Sequence, residues 1–67
     1  MNTAHIWTDP ERMGGLPCLR GHRLPMDQIA RHVARHGIDD LLENWDYLDR
    51  FEVEAALLEW RVAHAQP

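Results

Sequence analysis

Apolar residues recur at helical spacing through the last two thirds of the chain and alternate only briefly before it. Met26, Ile29, Ala30 and Val33 fall on one face, which predicts an amphipathic first helix. Pro25 suits its start, where a missing N–H costs nothing. Arg35 and His36 put positive charge in its last turn, and Gly37 predicts a left-handed C-terminal cap. Asp39 or Asp40 then caps a short second helix with Leu41, Leu42 and Trp45 as its apolar side, and Asp40 with Glu43 has the form of a capping box. Asp49 predicts the cap of a third helix running to about Ala63.

That third helix carries two apolar stripes. Phe51, Ala55, Leu58 and Val62 form one; Val53, Ala56, Leu57 and Trp60 form the other, roughly opposite. Glu52 and Glu59 separate them on one flank, Glu54 and Arg61 on the other. A surface helix of a monomer needs one apolar stripe, so two opposed stripes predict burial on both sides. The second neighbour is either another chain or the protein's own N-terminal hairpin.

Before the helices, Ile6 and Thr8 alternate with His5, Trp7 and Asp9, which predicts a short strand closed by Asp9-Pro10. Cys18-Leu19-Arg20, set between Pro17 and Gly21, predicts a second. Two such short strands need pairing and a helical layer behind them. The pattern predicts a mainly α fold, one domain over residues 1–67, with a hairpin and turn region at 5–24 and three helices over 25–64.

Size sharpens the question of a partner. A chain of 67 residues buries only about 60% of the surface it exposes when unfolded. Its single cysteine, Cys18, excludes an internal disulfide. The N-terminal run MNTAHIWTDPER lacks the basic start and apolar stretch of a secretory leader. No segment approaches the roughly 20 apolar residues of a membrane span. These features lead to the expectation of a cytoplasmic protein.

Charge is unevenly spread. The net charge is −4, yet residues 1–36 carry five arginines against three carboxylates, and residues 37–67 carry two arginines against eight. The two halves therefore suit different partners. Arg12, Arg20, Arg23, Arg31 and Arg35 gather in the basic half. Of these, Arg20, Arg23, Arg31 and Arg35 are the candidates for contacting nucleic-acid phosphates. The short helix, turn and longer helix have the order of a helix-turn-helix. The third helix, however, carries Glu52, Glu54 and Glu59, which phosphate would repel. If DNA is bound, the basic N-terminal half is the better candidate; the other reading of these arginines is a solvated face.

Catalytic chemistry finds little support. The stretch MGGLPCLRGHRLP holds three of the four glycines, but no lysine follows them as a phosphate loop requires. His32 and His36 stand four residues apart and are the weak candidates for a metal, though the intervening residues lack a catalytic Glu and Arg31 and Arg35 add positive charge. Cys18 beside Pro17 and Leu19 reads as a small packed residue rather than a nucleophile, which would need a positioned base such as His22. A core this small leaves little room for a substrate pocket of ~300 Å³ or more. The reading is of a non-enzymatic protein with no cofactor and no small-molecule substrate.

The run IWTDPERMGGLPCLRGHRLPMDQI resembles the opening signature of the bacterial domain-of-unknown-function family 433, on Asp9, Pro10, Gly14, Gly15, Pro17, Cys18, Arg20, Gly21 and Arg23, with Leu19 and Leu24 as apolar replacements. Gly37, the acidic segment after it, Trp45, Leu48 and the Ala-Ala-Leu-x-x-aromatic run ending at Trp60 resemble its later part. His22 stands where the family usually has Thr, and Asp46 where Pro usually follows the aromatic. The resemblance implies a homeodomain-like helical fold with an N-terminal β-hairpin. It also implies a VapB-like antitoxin that blocks a PIN-type ribonuclease toxin, with repression of the shared operon as a further role. A homodimer, with Val53, Leu57, Trp60 and Trp7 as candidate interface residues, is the expected assembly. A DNA-binding regulator is the alternative, and a metal-binding or thiol-reactive protein the distant one.

Overall fold

A computed structural model describes residues 2–8, 11 and 15–64. Two short strands, β1 (Ile6–Trp7) and β2 (Cys18–Leu19), precede three helices, α1 (Met26–His36), α2 (Ile38–Asn44) and α3 (Arg50–His64). The strands pair antiparallel, with Ile6 opposite Leu19 and Trp7 opposite Cys18. Asp9, Pro10, Arg12 and Gly14, which the motif reading singles out, lie outside the described residues.

Each helix boundary has a local cause. Pro25 sits just before α1 with φ −63°, and its carbonyl accepts the Ile29 N–H at 3.1 Å. Gly37 does more than the expected cap. Its N–H donates to the Val33 carbonyl at 2.9 Å, closing α1, and its own carbonyl accepts the Leu41 N–H at 3.2 Å, opening α2. Its φ of 88° and ψ of 162° lie in a region essentially reserved for glycine. The chain thus turns from one helix into the next on a single residue.

This corrects the expected start of α2. The helix begins at Ile38, and Asp39 and Asp40 stand inside its first turn rather than capping it by a side-chain bond. Ile38 packs against the core, and starting the helix there puts that side chain on the inward face. The two aspartates still favour the helix N-terminus electrostatically. For α3 the expectation holds: the Asp49 carboxylate accepts the Phe51 N–H at 3.0 Å.

One hydrophobic cluster joins all the elements. Ile6 and Leu19 from the strands meet Met26 and Ile29 of α1, Leu41 of α2, and Val53, Ala56 and Leu57 of α3. Leu24 and Leu48 close the edges, while Val33, Trp45 and Trp60 pack against it half-buried. Each fully buried aliphatic side chain contributes about 1.5–3 kcal/mol. No helix among the described residues is long and apolar enough to cross a membrane.

Candidate interaction surfaces

The glycine-rich segment folds back on itself twice. The Leu19 carbonyl accepts the His22 N–H at 2.9 Å, closing a turn in which Gly21 has φ 82°. That angle belongs to the third position of a type II turn and suits glycine. The Leu19 N–H then donates to the Leu24 carbonyl at 3.0 Å, and the Met26 N–H to the Pro17 carbonyl at 2.9 Å. Residues 17–19 are therefore held between β1 and the entry to α1. Cys18 is buried there, with its thiol donating to the Leu16 carbonyl at 3.4 Å. Burial, and then the negative charge of Asp27, push its pKa up. The uncharged thiol is favoured, as in a packed residue rather than a nucleophile.

The four candidate phosphate-binding arginines have different fates. Arg20 reaches back over the N-terminal segment. Its Nε donates to the Ala4 carbonyl at 3.1 Å and its Nη2 to the Thr3 carbonyl at 2.7 Å. Arg31 pairs with Asp27 one turn earlier on α1 at 3.2 Å. Arg23 and Arg35 are exposed and make no ion pair among the described residues. Arg31 and Arg35 share an open face of α1, a shallow depression of about 400 Å³ also lined by Asp27, Gln28, His32 and His36.

His32 lies against an aspartate of the next helix. Its Nε2 lies 2.7 Å from Asp40 Oδ2, joining α1 to α2. Asn44 Nδ2 donates to the same carboxylate oxygen at 3.1 Å. The His32 ring stands edge-on to Trp45 and 5.0 Å from the His36 ring, centre to centre. Among the described residues, no three His, Cys, Asp or Glu side chains converge to hold a metal ion. His22, the unusual residue of the signature, lies with its ring 5.6 Å from that of Tyr47.

The structure resolves the two stripes of α3 and corrects the expected interface. Val53 is fully buried and Leu57 is only 7% exposed, so both belong to this chain's own core. Trp60 is half-buried against the same core, stacked on His64 with ring centres 3.9 Å apart. The opposite stripe is uncovered: Phe51 is 82% exposed, Leu58 63% and Val62 71%. The strands and α1 occupy only one side of α3, which leaves the other apolar face outward. Trp7 is half-buried on β1, and its indole N–H is enclosed without an acceptor among the described residues.

Two shallow grooves flank this outward ridge. One, of about 340 Å³, is lined by Thr3, Leu58, Glu59, Val62 and Ala63. The other, of about 350 Å³, is lined by Val33, Ile38, Glu54, Leu57, Leu58 and Arg61. The first exists because Glu59 anchors the N-terminal segment. Its carboxylate accepts the His5 backbone N–H at 3.0 Å, the Thr3 hydroxyl, and a contact from His5 Nδ1 at 2.7 Å. Burial by itself would raise the Glu59 pKa. The hydrogen bonds from His5 and Thr3, with the charge interaction of His5, outweigh it and hold the carboxyl below its usual value. This anchor is invisible in the sequence, because nothing in the spacing of Thr3, His5 and Glu59 marks residues so far apart as partners. The Asp39–Arg50 ion pair, which ties α2 to α3, was equally hidden.

Comparison with known proteins places these surfaces in context. Residues 6–58 match the family described as Protein of unknown function (DUF433). Over 52 residues, 76% of this chain, the sequence is 35% identical to "Uncharacterized protein y4eO" of Sinorhizobium fredii (strain NBRC 101917 / NGR234). The chain spans about a quarter of that relative's length, the matched region being 24% of it. No solved structure matches the chain.

Proposed function

The chain belongs to the DUF433 family, and from that membership we propose that it is a non-enzymatic protein-docking module with an antitoxin-like role, binding and blocking a PIN-type ribonuclease in the cytoplasm. The observation that carries the reading is the outward face of α3, with Phe51, Leu58 and Val62 exposed along one ridge. Exposed apolar surface gathered into one patch of a few hundred Å² marks protein contact. Exposed carboxylates at Asp39, Glu43, Asp46, Asp49 and Glu52 lie on α2, the following turn and the start of α3. They suit a basic partner, as the RNA-binding surface of a ribonuclease is.

In this reading the α2–turn–α3 unit is homeodomain-like, with its outer helix used for protein contact. On that helix Arg50 is taken up by Asp39 and Arg61 shares its flank with Glu54, so it offers phosphate little net counter-charge. Co-expression with a PIN-type toxin encoded beside this gene tests the proposal. The wild-type chain restores growth and co-purifies with the toxin, while Leu58→Asp loses both. Absence of a complex and of rescue by the wild type overturns it.

A second reading rests on Arg23 and Arg35, exposed and without an ion pair among the described residues. Together with Arg31 they would let the basic half bind the promoter of its own operon. Binding of that kind weakens steeply with salt. A gel shift that is absent, or indifferent to salt, removes it.

A further inference from the structure

The outward stripe of α3 is self-complementary, and we infer that its occupant is a second copy of this chain, packed antiparallel, α3 against α3, about a two-fold axis. The inference rests on the docking role of this face and names its first partner. A nuclease then meets the paired unit.

The spacing comes first. Phe51, Ala55, Leu58 and Val62 are separated by steps of four, three and four residues, a pattern that reads the same in both directions. Two antiparallel copies therefore set Phe51 level with the other copy's Val62, and Ala55 level with its Leu58. Large residues meet at the ends and a small one meets a large one near the axis, which lets the helices approach closely. The stripe spans about 16 Å of helix at 1.5 Å per residue. A two-fold contact of this kind is isologous: each copy offers the same patch.

Charge selects the same register. Glu54 and Arg61 lie on one flank of the stripe, both exposed, and neither has an ion pair among the described residues. They are seven residues apart, about 10 Å along the helix, so they do not pair within one copy. A two-fold axis perpendicular to the helices places matching flanks face to face. Arg61 of one copy then stands only about 3 Å along the axis from Glu54 of the other, and the reciprocal pair forms as well. A parallel pairing in register would instead set this flank against the Glu52 and Glu59 flank of the other copy, with Glu54 facing Glu52 and Arg61 facing a Glu59 already held by its own chain.

The opposite flank would bring Glu52 and Glu59 of both copies together. There the Glu59 carboxylate is already turned onto Thr3 and His5 of its own chain. Its oxygens are already occupied by hydrogen bonds before the copies meet. The N-terminal segment it anchors also forms the wall of the 340 Å³ groove beside Leu58 and Val62. The register brings the exposed Phe51 ring of the second copy to the mouth of that groove, level with Val62.

Equilibrium sedimentation of the purified chain, over a concentration series, tests the pairing. The wild type is expected to sediment as a dimer at high concentration and to dissociate on dilution. Leu58→Asp gives a monomer, with helix content by circular dichroism confirming that it is folded. Glu54→Arg alone and Arg61→Glu alone each put like charges at both crossings, and each weakens the dimer about tenfold or more. The double variant Glu54→Arg/Arg61→Glu restores both pairs and the wild-type association. A wild type that stays monomeric at high concentration overturns the inference, as does a double variant no tighter than the singles. A monomeric wild type whose toxin rescue is still lost in Leu58→Asp sinks the pairing and leaves the docking role standing. A dimer that Leu58→Asp dissociates without loss of rescue does the reverse.

Discussion

Glu59, two thirds of the way along α3, holds His5 across 54 residues of chain, with its Oε2 2.7 Å from the ring Nδ1 and its Oε1 accepting the His5 backbone N–H at 3.0 Å. The Thr3 hydroxyl donates to the same carboxylate. One side chain thus fastens the segment before β1 to the far end of the helical layer, and it shapes one wall of the groove beside the exposed ridge.

Replacing Glu59 by Ala removes these bonds together and is expected to cost about 1–2 kcal/mol. The pH dependence has a definite sign. The folded-state pKa of Glu59 is lowered from the ordinary 4.5, so its stabilisation is complete above that pH and is lost as pH falls through the lower folded value. Urea melts from neutral to acid pH are expected to show the wild-type advantage over Glu59→Gln shrinking below about pH 4.5. An advantage that grows on acidification would refute the assignment.

Leu57 and Leu58 are neighbours in sequence and opposites in environment, at 7% and 63% exposure. Leu57→Ala is expected to destabilise the fold by about 2–5 kcal/mol through lost burial and the cavity left behind. Leu58→Ala, measured in dilute protein, is expected to change stability by about 0.5 kcal/mol or less. Chemical denaturation of the two variants side by side decides whether the stripes of α3 are assigned the right way round.

Gly37→Ala tests the one-residue joint between α1 and α2. A Cβ there meets nothing within 4 Å, so the expected cost is conformational rather than steric. With φ 88° and ψ 162° the penalty is expected to be about 1–3 kcal/mol. A thermal melt indistinguishable from wild type would mean that the joint relaxes freely.

Cys18 offers a probe of the hairpin. Its burial and raised pKa predict that a thiol reagent at mildly alkaline pH labels the native protein at least about tenfold more slowly than a free cysteine, with full reactivity in denaturant. Rapid labelling of the folded chain would show that β2 opens readily.

Arg20 and Arg23 separate a structural arginine from a free one. Arg20→Ala is expected to loosen the N-terminal segment, because both of its hydrogen bonds go to backbone carbonyls of Thr3 and Ala4. Faster amide exchange around β1 in Arg20→Ala, and its absence in Arg23→Ala, is the expected readout. If the two variants behave alike, the clamp contributes nothing.

Local chemistry was legible in the sequence. The 3.6-residue spacing of Met26, Ile29 and Val33, the positive-φ role of Gly37 and the cap at Asp49 each depend on residues within a turn or two of one another. Short-range sterics and hydrogen bonding decide such features whatever surrounds them. The start of α2 was missed by a residue or two because Ile38 is drawn inward by the tertiary core, which outweighs the capping preference of Asp39 and Asp40. Tertiary structure alone decided three matters. It chose which stripe of α3 is buried, since a helical wheel shows two apolar faces but not the side on which the strands and α1 will pack. It drew Arg20 back onto the chain and joined Glu59 to His5 and Thr3, contacts between residues that spacing cannot relate. And in burying Val53 and Leu57 it left Phe51, Leu58 and Val62 outside, which moved the candidate interface from the face first expected to its opposite.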